Sequence, residues 1–345
     1  MPDFRAFPGA GRKLDNVVKN IADSLPEITT EIEKETNARV WAIGGGKGGV
    51  GKTLITANLA VTLARSGAKV VAIDLDLGGA NLHTCLGTDA ENLPCLTDFF
   101  EKRVNTVAEL VQPTPIENLS IISGAADAVS IANLAHAQKQ KLLSKLRTIE
   151  ADYILLDLGA GTSFNTLDFF LFADVGILTV LPEPTSVENA YRFVKSVFYR
   201  KLKAAERDFE VRQLVDSIME RKAELQINTP ADLLRQIERE SPLTGGIVRE
   251  AIGNFDLKFI LNQVRTQADA EIGFGIRNVC RKYFGINIDY LGHLEYDSAV
   301  WQSVRRRRPL AVEFPSSPIM PKIQTFVSAM LGEEAERLER KKASI

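Results

Sequence analysis

Two kinds of hydrophobic periodicity alternate along the chain between residues 38 and 200. Short, nearly continuous apolar runs predict buried strands at residues 39–43, 70–74, 119–123, 153–157 and 175–181. Apolar residues at spacings of three and four predict helices, first at Leu54, Ala57, Val61 and Ala64 and later at Val187, Tyr191, Val194 and Phe198. This alternation of strand and helix predicts an α/β fold with a doubly wound, mostly parallel sheet.

The pattern changes after residue 203. Residues 203–255 are mostly helical in period and predict a helical insertion. Within them, Thr229 followed by Pro230 resembles a helix start, with Thr as the N-cap and Pro at the first position. Strands are predicted again at residues 257–261 and 286–291, so the sheet continues beyond the insertion.

These patterns divide the chain into three predicted parts. Residues 1–37 are polar and form an N-terminal extension, partly helical, that either packs on the main domain or docks a partner. Its helical face consists of Leu14, Val17, Val18, Ile21 and Leu25. Residues 38–330 form the main domain, which includes the insertion at about 203–255 and ends in a helix that begins near Pro321. Residues 331–345 form a charged C-terminal tail.

Composition narrows the class of protein. The chain has 345 residues, of which 45% are hydrophobic and 25% charged, and its net charge of −2 provides no global basic field for nucleic acid. No apolar run reaches the ~18 residues of a membrane span, and the N-terminus lacks the apolar core of a signal peptide. Cys85, Cys95 and Cys280 form no C-x-x-C pair, so we expect reduced thiols in a cytoplasmic protein.

A glycine-rich segment between the first predicted strand and helix carries the main chemistry. Residues 46–53 match the phosphate-loop pattern G-x-x-x-x-G-K-[ST], in which backbone N–H groups of a glycine-rich turn form a concave anion site. We expect Lys52 to reach the β- and γ-phosphates of a nucleoside triphosphate and the Thr53 hydroxyl to ligate Mg²⁺. The candidate nucleotide-binding residues here are Gly46, Lys47, Gly48, Gly49, Val50, Gly51, Lys52 and Thr53.

Acidic residues end two other predicted strands, at the edge where doubly wound folds bind ligands. Asp74 closes one strand near the expected Mg²⁺, and Asp76 lies just beyond it, where a carboxylate can orient an attacking water. Asp157 closes the strand at 153–157, a pattern whose carboxylate holds Mg²⁺ through a water. Gly161, in the following loop, lets the backbone approach the γ-phosphate. The structural alternative is that these acidic residues only cap strand ends.

Residues 47–53 resemble the deviant Walker A motif of the MinD/ParA ATPases, whose additional lysine corresponds to Lys47. The resemblance implies a P-loop NTPase fold that binds ATP and Mg²⁺, and an ATP-dependent homodimer in which Lys47 reaches the partner's phosphates. The alternative for Lys47 is a solvated loop lysine. Residues 74–82 resemble the family's switch I, which makes Asp76 the water-activating residue. Asn262 lies where the family has an Asn that reads the adenine edge, the alternative being a local turn.

Other segments extend the resemblance. Residues 157–161 resemble the family's switch II, and residues 182–186 resemble a loop beside the nucleotide and the dimer interface. Leu54 is a departure, because many relatives have a second Ser or Thr there. Residues 290–297 and 304–310 look most like MinD and the flagellar-placement (FlhG) branch. The resemblance therefore implies an ATPase that places a flagellum or division site, with a protein partner or activator, cytoplasmic or peripheral at the inner face of the cell membrane.

Two other functions stay open. Residues 305–308 are four arginines, which fit a DNA-segregation ATPase of the ParA type that contacts DNA phosphates. They also fit a solvated helix end before Pro309 or a contact with anionic lipid. A metal or electron carrier like the iron protein or Mrp needs paired cysteines, and the three cysteines of this chain do not cluster in sequence.

Membrane binding through the last helix is the remaining alternative. An apolar stripe is formed by Ile323, Phe326, Val327, Met330 and Leu331. Glu333, Glu334 and Glu336 follow at once, and acidic residues disfavour an anionic bilayer. We therefore expect this helix to pack on the core.

Overall fold

The computed structural model describes residues 38–76, 79–89, 94–124 and 136–343. The predicted extension at 1–37 lies outside the described residues. The described strands are β1 (Arg39–Gly44), β2 (Val70–Leu75), β3 (Gln112–Pro113), β4 (Leu119–Ile122), β5 (Tyr153–Leu158), β6 (Val175–Val180), β7 (Asp256–Val264) and β8 (Asp289–Glu295). They form one sheet in the order β3-β4-β2-β5-β1-β6-β7-β8, parallel except for the β3–β4 pair.

Helices connect these strands. In the described residues they are α1 (Lys52–Arg65), α2 (Leu82–Leu86), α3 (Leu96–Phe100), α4 (His136–Leu146), α5 (Phe164–Phe172), α6 (Pro184–Ala205), α7 (Phe209–Glu220), α8 (Pro230–Glu240), α9 (Pro242–Gly253), α10 (Gln267–Val279), α11 (Ser298–Arg305), α12 (Leu310–Glu313) and α13 (Ile319–Ala343). A 3₁₀ turn covers Val107–Leu110 and a π-helical turn covers Cys280–Phe284.

Helices cover both faces of the sheet, as the sequence predicts. Successive strand residues point to opposite faces, so Val40 and Ala42 enter one core while Trp41 and Ile43 enter the other. The first core is completed by α4, α5, α6 and α10, and the second by α1, α12 and α13. The predicted doubly wound, mostly parallel fold is confirmed, and it places the β1–α1 loop at the carboxyl edge of the central strand.

The last strand begins and ends later in the chain than predicted. The apolar run at 286–291 led us to expect a strand there, but β8 is Asp289–Glu295. Ile288 is buried before the strand begins, so the run includes core-packing residues that pair with no neighbouring strand. Hydrophobicity alone does not distinguish these two environments.

The insertion contains three helices, α7 to α9, which share a small core with the end of α6. That core includes Val211, Val215, Ile237 and Val248. The predicted start of α8 is confirmed, because the Thr229 side chain accepts a hydrogen bond from Asp232 N at 3.1 Å and Pro230 is the first helical residue.

The last helix packs on the core. The sequence predicted this, because the acidic residues of the helix disfavour binding to an anionic bilayer. Its buried stripe, Ile323, Phe326, Val327 and Met330, belongs to the same core as α1. Helix α13 continues to Ala343, so residues 331–343 are helical. Glu334, which is 8% exposed, accepts hydrogen bonds from Trp41 Nε1 at 3.0 Å and Tyr153 Oη at 3.1 Å. The acidic residues after the stripe thus have partners within the chain.

Candidate nucleotide-binding site

The phosphate loop joins the end of β1 to the start of α1. Gly51, the residue before α1, has φ +96°, which disfavours any residue with a Cβ, and a Cβ there would collide with Asn262 Nδ2. A Cβ at Gly46 would collide with the carbonyl oxygen of Asn189, on α6. Two of the loop glycines are therefore required by packing within the chain.

The other side of the loop is open. A Cβ built at Gly48 or Gly49 has no atom within 4 Å. The N-terminus of α1, which carries the partial positive charge of the helix dipole, lies beside this opening, and Lys52 is its first residue, 7% exposed. The loop thus leaves open space next to backbone N–H groups, a lysine and a helix N-terminus, a combination that suits phosphate.

Two carboxylates meet next to this loop. Asp74 on β2 is the register partner of Asp157 on β5, and Asp157 is in turn the partner of Ile43 on β1. Because the three strands are parallel neighbours, both carboxylates lie at the same edge as the phosphate loop. Both are 1% exposed.

Asp157 is a candidate ligand for a cation. Burial raises the pKa of Asp157 to about 8, and the neighbouring Asp74 carboxylate adds to this rise. The Thr53 hydroxyl has the opposite effect and lowers the pKa. The Oδ2 atom of Asp157 is buried and has no hydrogen-bond partner among the described residues. An unpartnered buried carboxylate oxygen beside a threonine hydroxyl is the oxygen donor set that Mg²⁺ accepts, so these residues fit the predicted metal.

Asp74 organises the segment that follows β2. Its Oδ1 accepts a hydrogen bond from Asp76 N at 3.0 Å and its Oδ2 accepts one from Leu82 N at 2.9 Å. Burial raises the pKa of Asp74 to about 6, although these backbone hydrogen bonds oppose the rise. Asp74 therefore sets the path of the chain around Asp76 as well as lying near the cation position.

The Asp76 carboxylate faces the loop after β5. A Cβ built at Gly159 would lie 3.2 Å from Asp76 Oδ1, so the two loops are in close contact. Among the described residues, none donates a hydrogen bond to this carboxylate. In the same loop Gly161, with φ +89°, donates its N–H to Gly45 O at 3.0 Å. The loop after β5 is thereby attached to the phosphate loop.

Lys47 lies on the surface, paired within its own chain. Its Nζ is 3.1 Å from Glu183 Oε2 and 3.5 Å from Thr185 Oγ1, and its side chain is 39% exposed. The segment 182–186, for which the sequence indicated no atomic role, thus provides the acceptors for this lysine.

Asn262 contacts the phosphate loop from β7. Its Nδ2 donates to Val50 O at 2.8 Å, and its Oδ1 accepts from Gln263 N at 2.9 Å. The side chain is in position beside the loop, while its predicted contact with adenine remains a prediction.

Two residues that shape the candidate site were not predicted from the sequence. Thr56 Oγ1 lies 3.2 Å from Asp157 Oδ1 and 3.0 Å from Lys52 O, and Asn189 limits the space at Gly46. Thr56 could have been found, because it lies one turn after Lys52 on the same helical face. Asn189 could not, since its contact is made by the backbone of a distant helix.

No cluster of three or more His, Cys, Asp or Glu able to hold a metal occurs in the described parts of the chain. No helix in these parts is long and apolar enough to cross a membrane. All three cysteines are free and buried.

Comparisons with known proteins agree with the fold and the loop. A family profile described as an AAA domain matches residues 38–209. The septum site-determining protein MinD of Helicobacter pylori is 36% identical over 174 residues, which cover 50% of this chain and 64% of that protein. The antiactivator FleN of Pseudomonas aeruginosa is 34% identical over 158 residues, which cover 46% of this chain and 55% of that protein. The match thus spans 64% and 55% of the length of these two relatives.

Among solved structures, the septum site-determining protein MinD of Pyrococcus horikoshii, complexed with Mg-ADP, superposes with a TM-score of 0.56 at 22% identity. The match covers 89% of this chain and 100% of that one. At this identity the likeness supports the fold.

Proposed function

We propose that this chain is an ATPase of the MinD/ParA family that binds and hydrolyses Mg·ATP, dimerises when ATP is bound, and thereby positions or regulates a cellular structure of the flagellar or division-site type. The observation that carries the proposal is that Asp74 and Asp157 lie side by side next to an open phosphate loop, and that Asp157 Oδ2 has no hydrogen-bond partner among the described residues. The similarity to MinD and FleN supports the regulatory role.

In this proposal the loop binds the triphosphate. Backbone N–H groups of residues 46–51 surround the phosphates, and Lys52 contacts the β- and γ-phosphoryl oxygens. Thr53 and Asp157 hold Mg²⁺, with Asp74 nearby, and the metal when bound neutralises charge on the phosphoryl oxygens. Asn262 supports the loop through Val50 O, and it would contact the adenine base of the bound nucleotide.

The Asp76 carboxylate orients the attacking water. Its oxygens accept no hydrogen bond from the described part of the chain, and it lies against Gly159 in the loop that is attached to Gly45 through Gly161. Loss of the γ-phosphate therefore alters contacts in two loops that touch each other, which is how nucleotide state reaches the protein surface.

Lys47 acts on the partner subunit's nucleotide. Its pairing with Glu183 involves two partly exposed side chains, with 39% and 53% exposure, and exposed pairs contribute little to stability. Lys47 can leave this pair when a second copy presents phosphates, and a cation supplied in trans is worth about 10³–10⁵ in rate in other nucleotide hydrolases.

Besides the second copy of the chain, the proposed ATPase binds a different protein as its partner or activator. It acts in the cytoplasm or peripherally at the inner face of the cell membrane. The description of FleN as an antiactivator supports a protein partner. Helices α7 to α9, within residues 203–255 of the proposed ATPase domain at 38–330, are the candidate surface for it.

The test is a comparison of nucleotide states. Light scattering should report a monomer with Mg·ADP and a dimer with Mg·ATP, and phosphate release should accompany the return to monomer. Turnover of ATP without any change in mass would contradict the switch, and absence of Mg·ATP binding by calorimetry would contradict the whole proposal.

A second candidate function is nonspecific DNA binding of the ParA type. Arg306 and Arg308 pair with Glu313, but Arg305 and Arg307 have no carboxylate partner in the described residues. Trp301, which is 62% exposed, lies 5.3 Å from the Arg305 guanidinium carbon. If this surface binds DNA, co-sedimentation should require ATP, weaken with salt and disappear when Arg305 and Arg307 are both replaced by Ala.

A further inference from the structure

A cavity lies where the inserted helices meet the sheet. We call it the insertion cavity; its walls come from α6, α8, α9, the start of β7 and residues 285–287, and its volume is about 240 Å³. That volume is roughly the volume of eight water molecules in the liquid. Val197, Leu234, Ile252 and Leu257 make its wall largely apolar.

One cation in this wall lacks a counter-ion. Lys201 lines the cavity, and no carboxylate in the described residues lies within ion-pair distance of its Nζ. The ammonium instead lies 5.2 Å from the centroid of the Phe255 ring. Burial lowers the pKa of Lys201 to about 8, because no neighbouring carboxylate offsets the loss of solvation of its ammonium group. The other cation of the wall, Arg249, is already paired with Glu238.

We propose that the insertion cavity binds a small amphipathic carboxylate, with its carboxylate on Lys201 and its hydrocarbon body against the apolar wall. A single unpaired positive charge matches a monoanion. The apolar lining matches a short hydrocarbon chain better than it matches a nucleotide or a polyphosphate. The side-chain amide of Asn287, also in the wall, offers a further hydrogen-bond donor.

This site is separate from the phosphate loop. Leu257 in the cavity wall and Asn262 at the loop lie on the same strand, β7, five residues apart and therefore about 17 Å from each other. An anion bound in one site does not occupy the other, so the proposal stands whether or not the chain hydrolyses ATP.

The experiment is calorimetric titration of the full chain with octanoate, with and without saturating Mg·ADP. Saturable binding is expected at about 0.1–1 mM, since a ligand of this size has few atoms to contribute. Octanamide, which has the same hydrocarbon chain and no charge, should bind at least about tenfold more weakly, because it loses a charge-assisted hydrogen bond. Mg·ADP should leave octanoate binding unchanged.

Two variants locate the site. Lys201→Met removes the charge and should weaken octanoate binding by at least about tenfold. Gly253→Leu should abolish binding by filling the cavity, since Gly253 lines it and a Cβ there meets no atom within 4 Å. The matched control is Lys195→Met, because Lys195 lies on the same helix, 5.9 Å from the Tyr199 ring centroid, and does not line the cavity.

Circular dichroism should first establish that each variant is folded. The proposal is overturned if the wild-type chain shows no saturable binding up to about 10 mM octanoate. It is equally overturned if Lys201→Met and Gly253→Leu both bind like the wild type, if octanamide binds as tightly as octanoate, or if Mg·ADP displaces the probe.

Discussion

The side-chain amide of Asn262 donates a hydrogen bond to the carbonyl oxygen of Val50 at 2.8 Å, so a residue near the end of β7 supports a loop that begins at the end of β1. Val50 is 1% exposed, and Asn262 is 4% exposed. A hydrogen bond buried to this extent has no water to replace it, and the shape of the phosphate loop therefore depends on a residue more than two hundred positions away.

Asn262→Ala should lower the free energy of unfolding by about 1–3 kcal/mol, because Val50 O is left buried without a donor. Urea denaturation measures the change. The control is Asn254→Ala, an exposed helix-end residue whose replacement should change stability by less than about 0.5 kcal/mol. If Asn262 also reads adenine, the variant should lose ATP affinity more than GTP affinity, and an equal loss would leave only the loop-supporting role.

Asp76→Ala should reduce ATP hydrolysis by about 10²-fold or more while leaving ATP binding and dimerisation largely intact, because in the proposed mechanism this carboxylate orients the attacking water. Phosphate release and calorimetry measure the two properties separately. Glu117→Ala, at an exposed carboxylate, is the control. A variant that no longer binds ATP would argue against the assigned role.

Lys47→Ala should prevent ATP-dependent dimers, since in the proposed dimer Lys47 supplies a cation in trans to the partner's phosphates. Light scattering with Mg·ATP measures this directly, and Lys69→Ala, at an exposed lysine before β2, should dimerise normally. Unchanged dimerisation of Lys47→Ala would leave this residue as a surface lysine paired with Glu183.

Asp168→Ala should be among the most destabilising substitutions in the chain. The Asp168 carboxylate is 1% exposed and pairs with Lys139 and with Arg200, whose side chains are 4% and 3% exposed. Removing it leaves two buried cations uncompensated, which costs about 3–5 kcal/mol.

Urea denaturation is again the measurement for Asp168→Ala. Glu188→Ala breaks the exposed pair with Arg192 and should cost about 0.5 kcal/mol or less. Similar costs for the two variants would show that the buried cluster is not held together by Asp168.

The thiol of Cys280 should be unreactive in the native protein. Burial raises its pKa to about 12, so at pH 8 only about one molecule in ten thousand carries the thiolate that reacts with disulfide reagents. Labelling should become fast above about pH 11 or after unfolding in urea. Rapid labelling of Cys280 in the folded protein, mapped by peptide mass, would contradict its buried position.

The local elements were predictable because each depends on neighbouring residues. Strands β1, β2 and β5 have both faces covered, so their apolar runs are continuous and easily recognised. The start of α8 was equally clear, since Thr229 and Pro230 act within one turn. The start of β8 was misplaced because Ile288 is buried without belonging to the strand, and hydrophobicity reports burial rather than pairing.

Local sequence patterns were enough to predict the phosphate loop, the strands that end in Asp74 and Asp157, and the alternation of strand and helix that brings these strands into one sheet. These features follow from glycine spacing and from hydrophobic period, which are properties of consecutive residues. Other contacts became visible only in the folded chain. Asn262 supports Val50, Lys47 pairs with Glu183, Glu334 accepts a hydrogen bond from Trp41, and Lys201 faces a cavity with no counter-ion among the described residues. Each of these contacts joins residues far apart in the chain, and their partners become neighbours only when hydrophobic burial has packed the helices on the sheet.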